Sequence, residues 1–451
     1  MPLVRGIGPG VLIFLRSFVA RMISKPNAPH TLSSDPAFWQ NGSMTTNLLR
    51  DNWIKLDSAE LRLLLDNRIG RPGQFQDRSN NPNKFYLPLA GSSCRICLTF
   101  REKKIVTVEP GPAFDADEWE QISEEIETSI LAGPTRVGRE YSFSSFRVQG
   151  WWRGEHSGVQ ILPPPLDAPR APVEMAVHPF ILEFAIKSTE LWPITNHRRM
   201  QEHRKLTHLL NVLLAGRTSL QPRRPEHFWA AVPHDDNNHQ PEIKWVQQFF
   251  FAKLGEVVVD DFASPDGDQL EEVDAEVYYT EVGHDGKGLR VPSDLDYSIG
   301  LYLQLSSANR AKFDRAVFWM DMASRQWDIS VSSSFASLVS AVEALTKRGT
   351  THRLYCEQCG VHRQHEMPGA TESFRAFFET YAPGTSTKSR RTKMYSLRSG
   401  ILHGSDLMQL DQDLHFGWDP PWWNERELHD DLWRLTGLAL RNWLHHPPMT
   451  T

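Results

Sequence analysis

The chain has 451 residues, and 49 lysines and arginines against 55 aspartates and glutamates give it a formal net charge of −6. This mildly acidic balance excludes a uniformly basic, histone-like nucleic-acid binder, and a hydrophobic fraction of 40% excludes a disordered chain. The length predicts two or three folded domains at about 150 residues each. Four cysteines are too few for a disulfide scaffold, so we expect reduced thiols in a cytoplasmic protein.

Residues 1–83 are predicted to be an extension with loops. Their most apolar stretch, residues 10–23, contains Arg16 and Arg21 and is shorter than the roughly 20 residues that a membrane span requires. The same two charges, and the lack of a small-residue cleavage pattern after them, argue against a secretory signal. The stretch is either an amphipathic surface helix or part of an irregular extension, and we expect no membrane partner.

Residues 84–300 are predicted to form a β-rich α+β region that senses a trigger or grips a substrate. Strands are predicted at residues 85–90, 94–100, 103–109, 141–148, 180–186, 228–232, 244–251 and 275–282. One helix is expected from about Asp115, and a second from Arg199 to Ala215, with Gly216 ending it. The prolines between residues 163 and 172 indicate a loop.

From residue 301 to 446 the apolar spacing becomes helical, which predicts an all-helical bundle after the β-rich region. Helices are expected at Ala308–Ser324, Ile329–Lys347 and Glu425–Leu444. Asn424 is the predicted N-cap of the last one. An insertion that contains Cys and His, residues 348–370, interrupts the bundle. The expected fold class is therefore α+β with a helical C-terminal part.

The segment MYSLRSGILHG contains a spaced pair of Arg and His residues. Three pairs in the chain share this spacing: Arg198 with His203, Arg398 with His403, and Arg441 with His446. The middle pair is distinguished by its surroundings, because YSLR leads into it and Gly404 follows the histidine. In addition, an AVEAL run occupies residues 341–345 of an earlier predicted helix.

These features resemble the HEPN superfamily, and more narrowly its ApeA-like members. Family members carry an Arg, and a His a few residues later, near the start of a late helix, often as an RS…HG string. Over residues 301–444 the resemblance implies a dimeric helical bundle that acts as a metal-independent endoribonuclease, often in toxin systems or phage defence. It places Arg398 and His403 in the catalytic positions and Ser399 at the usually polar position after the arginine. The alternative is an inactive HEPN bundle that serves as a dimerisation or regulatory module.

Metal-free RNA cleavage requires these residue types. The ribose 2′-hydroxyl is the nucleophile, so a site needs a base for its proton and a fixed positive charge near the phosphate. His403 is the candidate acid and base, whereas Arg398 stays protonated near neutral pH and can donate two N–H groups to phosphate oxygens. Since one copy supplies one Arg and one His, we expect a homodimer that acts on RNA.

Glu343, in the AVEAL run, has two interpretations. It either orients Arg398 or His403 from a neighbouring helix, or it is a solvated carboxylate. Its apolar neighbours favour the orienting role, because an unpaired buried carboxylate is costly. The structural alternative for the motif is that Arg398 caps helix carbonyls or pairs with Glu343, and that His403 is an ordinary interfacial histidine.

A basic segment, KSRRTK, leads into the motif. Residues 347–398 hold 10 Lys and Arg against 4 Asp and Glu, a local excess of six positive charges. Such a segment beside a candidate phosphate-cleaving pair favours RNA binding, and a solvated loop is the alternative. The candidate RNA contacts are Lys388, Arg390, Arg391 and Lys393.

The insertion carries a CxxC pattern followed by glycine, which suits a structural zinc ion. The candidate ligands are Cys356, Cys359, His362 and His365. His352, or the second CxxC of Cys94 and Cys97, is an alternative source of ligands. That second pair lies in a strand-like run, where positions three apart face opposite sides, so we interpret it as core sulfur. A redox role for the first CxxC lacks a thioredoxin-like context, and we expect no cofactor in catalysis.

Overall fold

The structure is a computed structural model. It describes residues 47–70, 83–87, 94–165, 178–216, 218–219, 227–232, 242–247, 255–280, 288–327, 329–346, 350–358, 360–367, 369–384, 387–412 and 420–448. The chain divides into two compact units. The first comprises Met1–Asp51 and Pro72–Phe114, and the second comprises Asn52–Arg71 and Asp115–Thr451.

The smaller unit contains a three-stranded antiparallel sheet. Its strands are β1 (Lys84–Leu87), β2 (Ile96–Arg101) and β3 (Lys104–Pro110), paired in that order, which confirms the first three predicted strands. Glu102 and Lys103 both have positive φ, the conformation of a tight two-residue hairpin turn. The thiols of Cys94 and Cys97 are buried, as the interpretation of core sulfur predicted.

In the larger unit, helix α1 (Ser58–Arg68) is followed by α2 (Ala116–Glu125), which continues as a π-helical turn, Ile126–Leu131. The Asp115 carboxylate caps α2 by accepting hydrogen bonds from the backbone N–H groups of Asp117 and Glu118. The predicted start of this helix is therefore confirmed.

The main sheet of this unit is antiparallel. Its strands are β4 (Thr135–Ser144), β5 (Trp152–Gly154), β6 (Val159–Leu162), β7 (His178–Lys187), β8 (Thr218–Ser219) and β11 (Val258–Val259). They have the order β11-β4-β7-β6-β5, with β8 pairing the opposite end of β4. Helix α3 (Trp192–Leu213) packs on β7. It begins seven residues before the predicted Arg199, because Pro193 is favourable in a first helical turn.

The remaining strands form small pairs. They are the hairpin of β9 (His227–Val232) and β10 (Glu242–Gln247), and the parallel pair of β12 (Glu272–Val273) and β13 (Val291–Pro292). The strand predicted at residues 275–282 is wrong, since Ala275–Thr280 is helix α4. Its cause is local: the Asp274 carboxylate accepts hydrogen bonds from the backbone N–H groups of Glu276 and Val277 and so starts a helix.

The C-terminal part is helical, as predicted, and a hairpin interrupts it. Its helices are α5 (Leu295–Gln304), α6 (Ser307–Gln326), α7 (Val331–Leu345), α8 (Ala370–Tyr381), α9 (Arg391–Leu402), α10 (Gln409–Gln412) and α11 (Pro420–His445). The hairpin pairs β14 (Thr350–Cys356) with β15 (Val361–Met367) inside the predicted insertion. Asn424 is not an N-cap, because α11 already begins at Pro420 and proline is tolerated in a first turn.

One continuous hydrophobic core joins the main sheet to the C-terminal helices. It includes Phe184 of β7, Leu209 of α3, Phe313 of α6 and Trp443 of α11. The expected boundary near residue 300 therefore lies inside the larger unit. None of the helices that the structure describes is both long and apolar enough to cross a membrane.

Candidate functional site

The Arg398–His403 motif occupies the C-terminal half of α9 and its end. Arg398 lies within the helix, and His403 is the C-cap residue. Gly404 follows with a φ of 71°, its N–H donates to the carbonyl of Ile401, and the N–H of Ser405 donates to the carbonyl of Gly400. These two bonds form a Schellman motif. The presence of glycine after the histidine thus has a structural explanation: Gly404 ends the helix at His403.

We expect replacement of Gly404 by alanine to destabilise the protein by about 1 kcal/mol, because a Cβ is strained at positive φ. The midpoint of urea unfolding measures this. Gly300→Ala is the matched control, and it is not expected to lower the free energy of unfolding. It lies in α5, where an added Cβ would meet no atom within 4 Å, so alanine should be neutral or stabilising there. Equal effects at both positions would contradict the strain at Gly404.

Arg398 is held from the neighbouring helix α7. Its Nη2 lies 2.5 Å from Glu343 Oε2, and the hydroxyl of Tyr395 donates to Glu343 Oε1 at 2.9 Å. The guanidinium carbon also lies 5.6 Å from the centre of the Tyr395 ring. Glu343 therefore contacts Arg398, one of the two residues it was predicted to orient, and it is not a carboxylate free of partners.

Tyr395 received no role from the sequence. It lies three residues before Arg398 on α9, and residues at this spacing share a helix face. That spacing was the available signal, but the carboxylate that the two residues share comes from 52 residues earlier in the chain.

Arg398 has a side-chain N–H group that no described residue accepts. Its side chain is 19% exposed, and its Nε is buried without a hydrogen-bond partner in the described part of the chain. A buried N–H without an acceptor is costly, so an oxyanion at this position would stabilise the arrangement. Because Glu343 already pairs with Nη2, it compensates part of the positive charge that a phosphate would meet.

His403 is exposed, and its side chain makes no hydrogen bond to any residue that the structure describes. Five residues separate it from Arg398, which corresponds to about 140° around a helix axis and about 7.5 Å along it. The two side chains of one copy therefore leave α9 in different directions. Ser399 lies between them, partly exposed, and its carbonyl accepts the backbone N–H of His403.

The segment after His403 is tied to the start of α7, the helix that carries Glu343. The Asp411 carboxylate accepts hydrogen bonds from the Ser330 hydroxyl at 2.8 Å and from the N–H groups of Val331 and Ser332 at 3.0 and 2.7 Å. Burial alone would raise the pKa of Asp411, but these hydrogen bonds outweigh it and lower the pKa. Helix α7 therefore contacts Arg398 through Glu343, and its start contacts the segment that follows the motif.

Asp411→Asn is expected to lower the free energy of unfolding by about 1 kcal/mol, because it removes a charge from a helix N-terminus and weakens a cap. Urea denaturation followed by circular dichroism measures it. Asp406→Asn provides the control, since Asp406 is exposed in the same segment and forms no ion pair with a described residue. No difference between the two variants would show that the Asp411 contacts contribute little.

The basic segment is less available than its composition suggests. Arg390 pairs with Asp431 at 2.5 Å, and Lys388 lies 3.4 Å from Glu379. Arg391 is only 1% exposed, and its Nη2 donates to the carbonyls of Ala382 and Gly384. The prediction that Arg391 contacts RNA is therefore wrong, because its guanidinium is used inside the protein. Lys393 is exposed and pairs with no residue that the structure describes.

The predicted zinc site falls mostly outside what the structure describes. Cys359 is not among the described residues, and only the backbone of Cys356, His362 and His365 is described. The hairpin register sets His352 opposite His365, and Tyr355 opposite His362. Among the described residues no group of three or more His, Cys, Asp or Glu could hold a metal ion, and zinc stays a prediction.

The two other Arg/His pairs of the same spacing have internal partners. Arg198 binds Glu60 through two N–H groups, and His203 is buried with its Nε2 2.8 Å from the Ser142 hydroxyl. The guanidinium of Arg441 stacks on the Tyr279 ring at 3.7 Å.

Comparison with known proteins identifies no relative: no protein family, no curated protein and no solved structure matches this chain.

Proposed function

We propose that this protein is a metal-independent endoribonuclease of HEPN type. The observation that carries the proposal is the end of α9, where an exposed His403 follows an Arg398 that is positioned by Glu343 and Tyr395 and keeps a buried N–H without a described acceptor. In the proposed reaction His403 takes the proton of the ribose 2′-hydroxyl, and that oxygen attacks the adjacent phosphorus. The bond to the 5′-oxygen breaks, and this oxygen receives a proton from the acid. The products are a 2′,3′-cyclic phosphate and a 5′-hydroxyl.

The reaction needs an acid as well as a base, and one copy provides a single His403. We therefore propose a homodimer whose interface joins the two α9 ends. Leu402 and Leu407 flank His403 and are 54% and 47% exposed, which leaves apolar surface for a second copy to cover. Lys393 is accessible and is the proposed contact to the RNA backbone. Ser399, which is partly exposed, is the proposed polar support of the site.

A second candidate is an inactive HEPN bundle that only dimerises. Its specific support is the Arg398–Glu343 ion pair, since the structural interpretation of the motif also predicts it. In both cases we propose a cytoplasmic protein, and for the nuclease a role in phage defence or a toxin-like stress response.

The deciding experiment is to incubate the purified full-length protein with labelled mixed-sequence RNA in EDTA. Cleavage that leaves 2′,3′-cyclic ends, and that Arg398→Ala and His403→Ala both abolish, is expected. Equal cleavage by wild type and both variants would refute the proposed site. A second measurement compares the growth of cells that express the wild type with that of cells that express His403→Ala. If the wild-type protein does not cleave RNA and slows growth no more than His403→Ala does, the inactive bundle is the correct interpretation.

Mixing wild type with His403→Ala tests the shared site. If cleavage needs His403 from both copies, only dimers of two wild-type copies are active. An equimolar mixture that exchanges subunits should then keep about a quarter of the rate of the same total amount of wild-type protein. Half of that rate would mean that each copy acts alone.

A further inference from the structure

A cleft between α6 and α11 lies apart from the Arg398–His403 motif. It has a volume of about 240 Å³, and its lining residues are Ser324, Trp327, His429, Asp430 and Trp433. Pockets for drug-sized molecules begin at roughly 300 Å³, so this cleft suits a single small group. The His429 ring forms part of it, with the Trp327 ring centre 4.4 Å away and that of Trp433 6.3 Å away.

The hydrogen bonds around His429 determine its tautomer. The Ser334 hydroxyl has one hydrogen and donates it to the carbonyl of Ala323 at 2.8 Å. The same oxygen lies 2.9 Å from His429 Nε2, so Nε2 must be the donor to it. Nδ1 then carries a lone pair, and it is buried without a hydrogen-bond partner among the described residues. His429 itself is 2% exposed, and burial lowers its pKa to about 4, so the ring stays neutral at pH 7.

Asp430 adds a negative charge at the rim. Its carboxylate forms no hydrogen bond or ion pair with a residue that the structure describes. The nearest opposing charges lie one turn away on α11: Arg426 and Arg434, the latter engaged with Asp431 at 3.0 Å. Two arginines near the motif differ from Asp430, because each has a partner of opposite charge: Arg390 pairs with Asp431, and Arg398 pairs with Glu343. The cleft therefore holds an acid whose charge is not compensated by direct contact with a described residue.

The side chains that line the cleft are rich in electron-donating groups: two indole rings, a neutral imidazole with a lone pair, a serine oxygen and a carboxylate. None of the described residues that line it is cationic. Indole faces attract cations through their quadrupole, and a carboxylate does so through its charge. An anion such as phosphate would be repelled here.

We infer that the cleft formed by Trp327, His429, Asp430 and Trp433 binds an organic cation with an alkylammonium or guanidinium head group. The cation stacks on the indole faces, and its N–H groups donate to the Asp430 carboxylate. A small movement of either indole would also open His429 Nδ1 to it. Such a head group occurs on Lys or Arg side chains of a peptide and on free polyamines. The inference does not depend on the proposed nuclease activity.

Isothermal titration calorimetry of the full chain tests this with three probes. N-acetyl-arginine amide represents a peptide side chain, spermidine represents a free polyamine, and N-acetyl-citrulline amide is the neutral isostere of the arginine probe. The arginine probe or spermidine should bind at least tenfold more tightly than the citrulline probe. Whichever of the two binds more tightly identifies the source of the cation.

Asp430→Asn is expected to weaken binding of the cation about tenfold, and Trp433→Leu several-fold. Asp430 is exposed and has no described ion-pair partner, so its replacement should leave the fold unchanged. Glu427→Gln is the matched control, an exposed acid on the same helix outside the cleft, and should change the Kd by less than twofold. A citrulline probe that binds as tightly as the tighter of the two cationic probes, an unchanged Kd in Asp430→Asn, or no binding of any probe at millimolar concentration would overturn the inference.

Discussion

His403→Ala is expected to lower the rate of RNA cleavage by about 10²–10⁴-fold, the range that a positioned general acid or base contributes. His403 is exposed and its side chain bonds to no described residue, so the substitution should leave the unfolding midpoint unchanged. The measurement is a single-turnover cleavage rate in EDTA, with a thermal melt of the same sample. A loss of rate without a loss of stability separates a chemical role from a structural one.

The chain provides its own control for this variant. His446 is also exposed and also follows an arginine by five residues, but that arginine stacks on Tyr279. His446→Ala should therefore cleave RNA at the wild-type rate. If His446→Ala and His403→Ala lose activity equally, the effect does not arise from the proposed site.

Acidification is expected to unfold the larger unit, because three of its histidines are buried and neutral. Burial lowers the pKa of His203 to about 3, and of His208 and His429 to about 4; nearby Arg199 and Arg325 add to the effect at the first two. In the unfolded chain a histidine titrates near 6.5. Between about pH 6.5 and 4 the unfolded state therefore binds more protons than the folded state, so stability is full above pH 6.5 and is lost as the pH falls.

The slope of this loss follows from linkage. Each such histidine contributes up to about 1.4 kcal/mol per pH unit, so three give about 4 kcal/mol per pH unit. Since domains are stable by about 5–15 kcal/mol, two pH units suffice to unfold a typical one. Urea midpoints at several pH values between 7.5 and 5 measure the slope.

His429→Phe should reduce the slope by about a third, because the surroundings of His429 are largely aromatic and one titrating group is removed. Phe313→Leu, a core substitution without a titrating group, should lower stability equally at every pH. A slope that is the same in His429→Phe and in wild type would show that this imidazole is not responsible.

Local signals allowed much of the fold to be predicted. The first three strands, the start of α2 at Asp115 and the helical C-terminal part depend on neighbouring residues, and the structure agrees with them. The strand predicted at residues 275–282 failed because the Asp274 cap outweighs the β-branched composition that follows it. Asn424 failed as a cap because the paired prolines upstream already begin a helix.

The site was harder to predict, because its contacts join distant parts of the chain. Arg398, His403 and Glu343 were selected from sequence, but the hydroxyl of Tyr395 on Glu343 depends on how α7 packs against α9. The burial of Arg391 is similar: its charge suggested a surface role, whereas the carbonyls that accept its N–H groups follow α8. Composition counts charges but does not show which of them have partners.

Helix α3 contacts β7 and β4 of the main sheet and also α5, α6 and α11 of the helical part. The main sheet and the C-terminal helices therefore each cover part of the hydrophobic surface of the other, with α3 between them. A fragment of residues 301–451 would expose the apolar surfaces that α3 covers, and we expect it to aggregate rather than to retain the Arg398–Glu343 contact. Because the main sheet and the helices share one core, a ligand that destabilises the sheet would also destabilise the helices that hold the end of α9. No separate domain would have to be released.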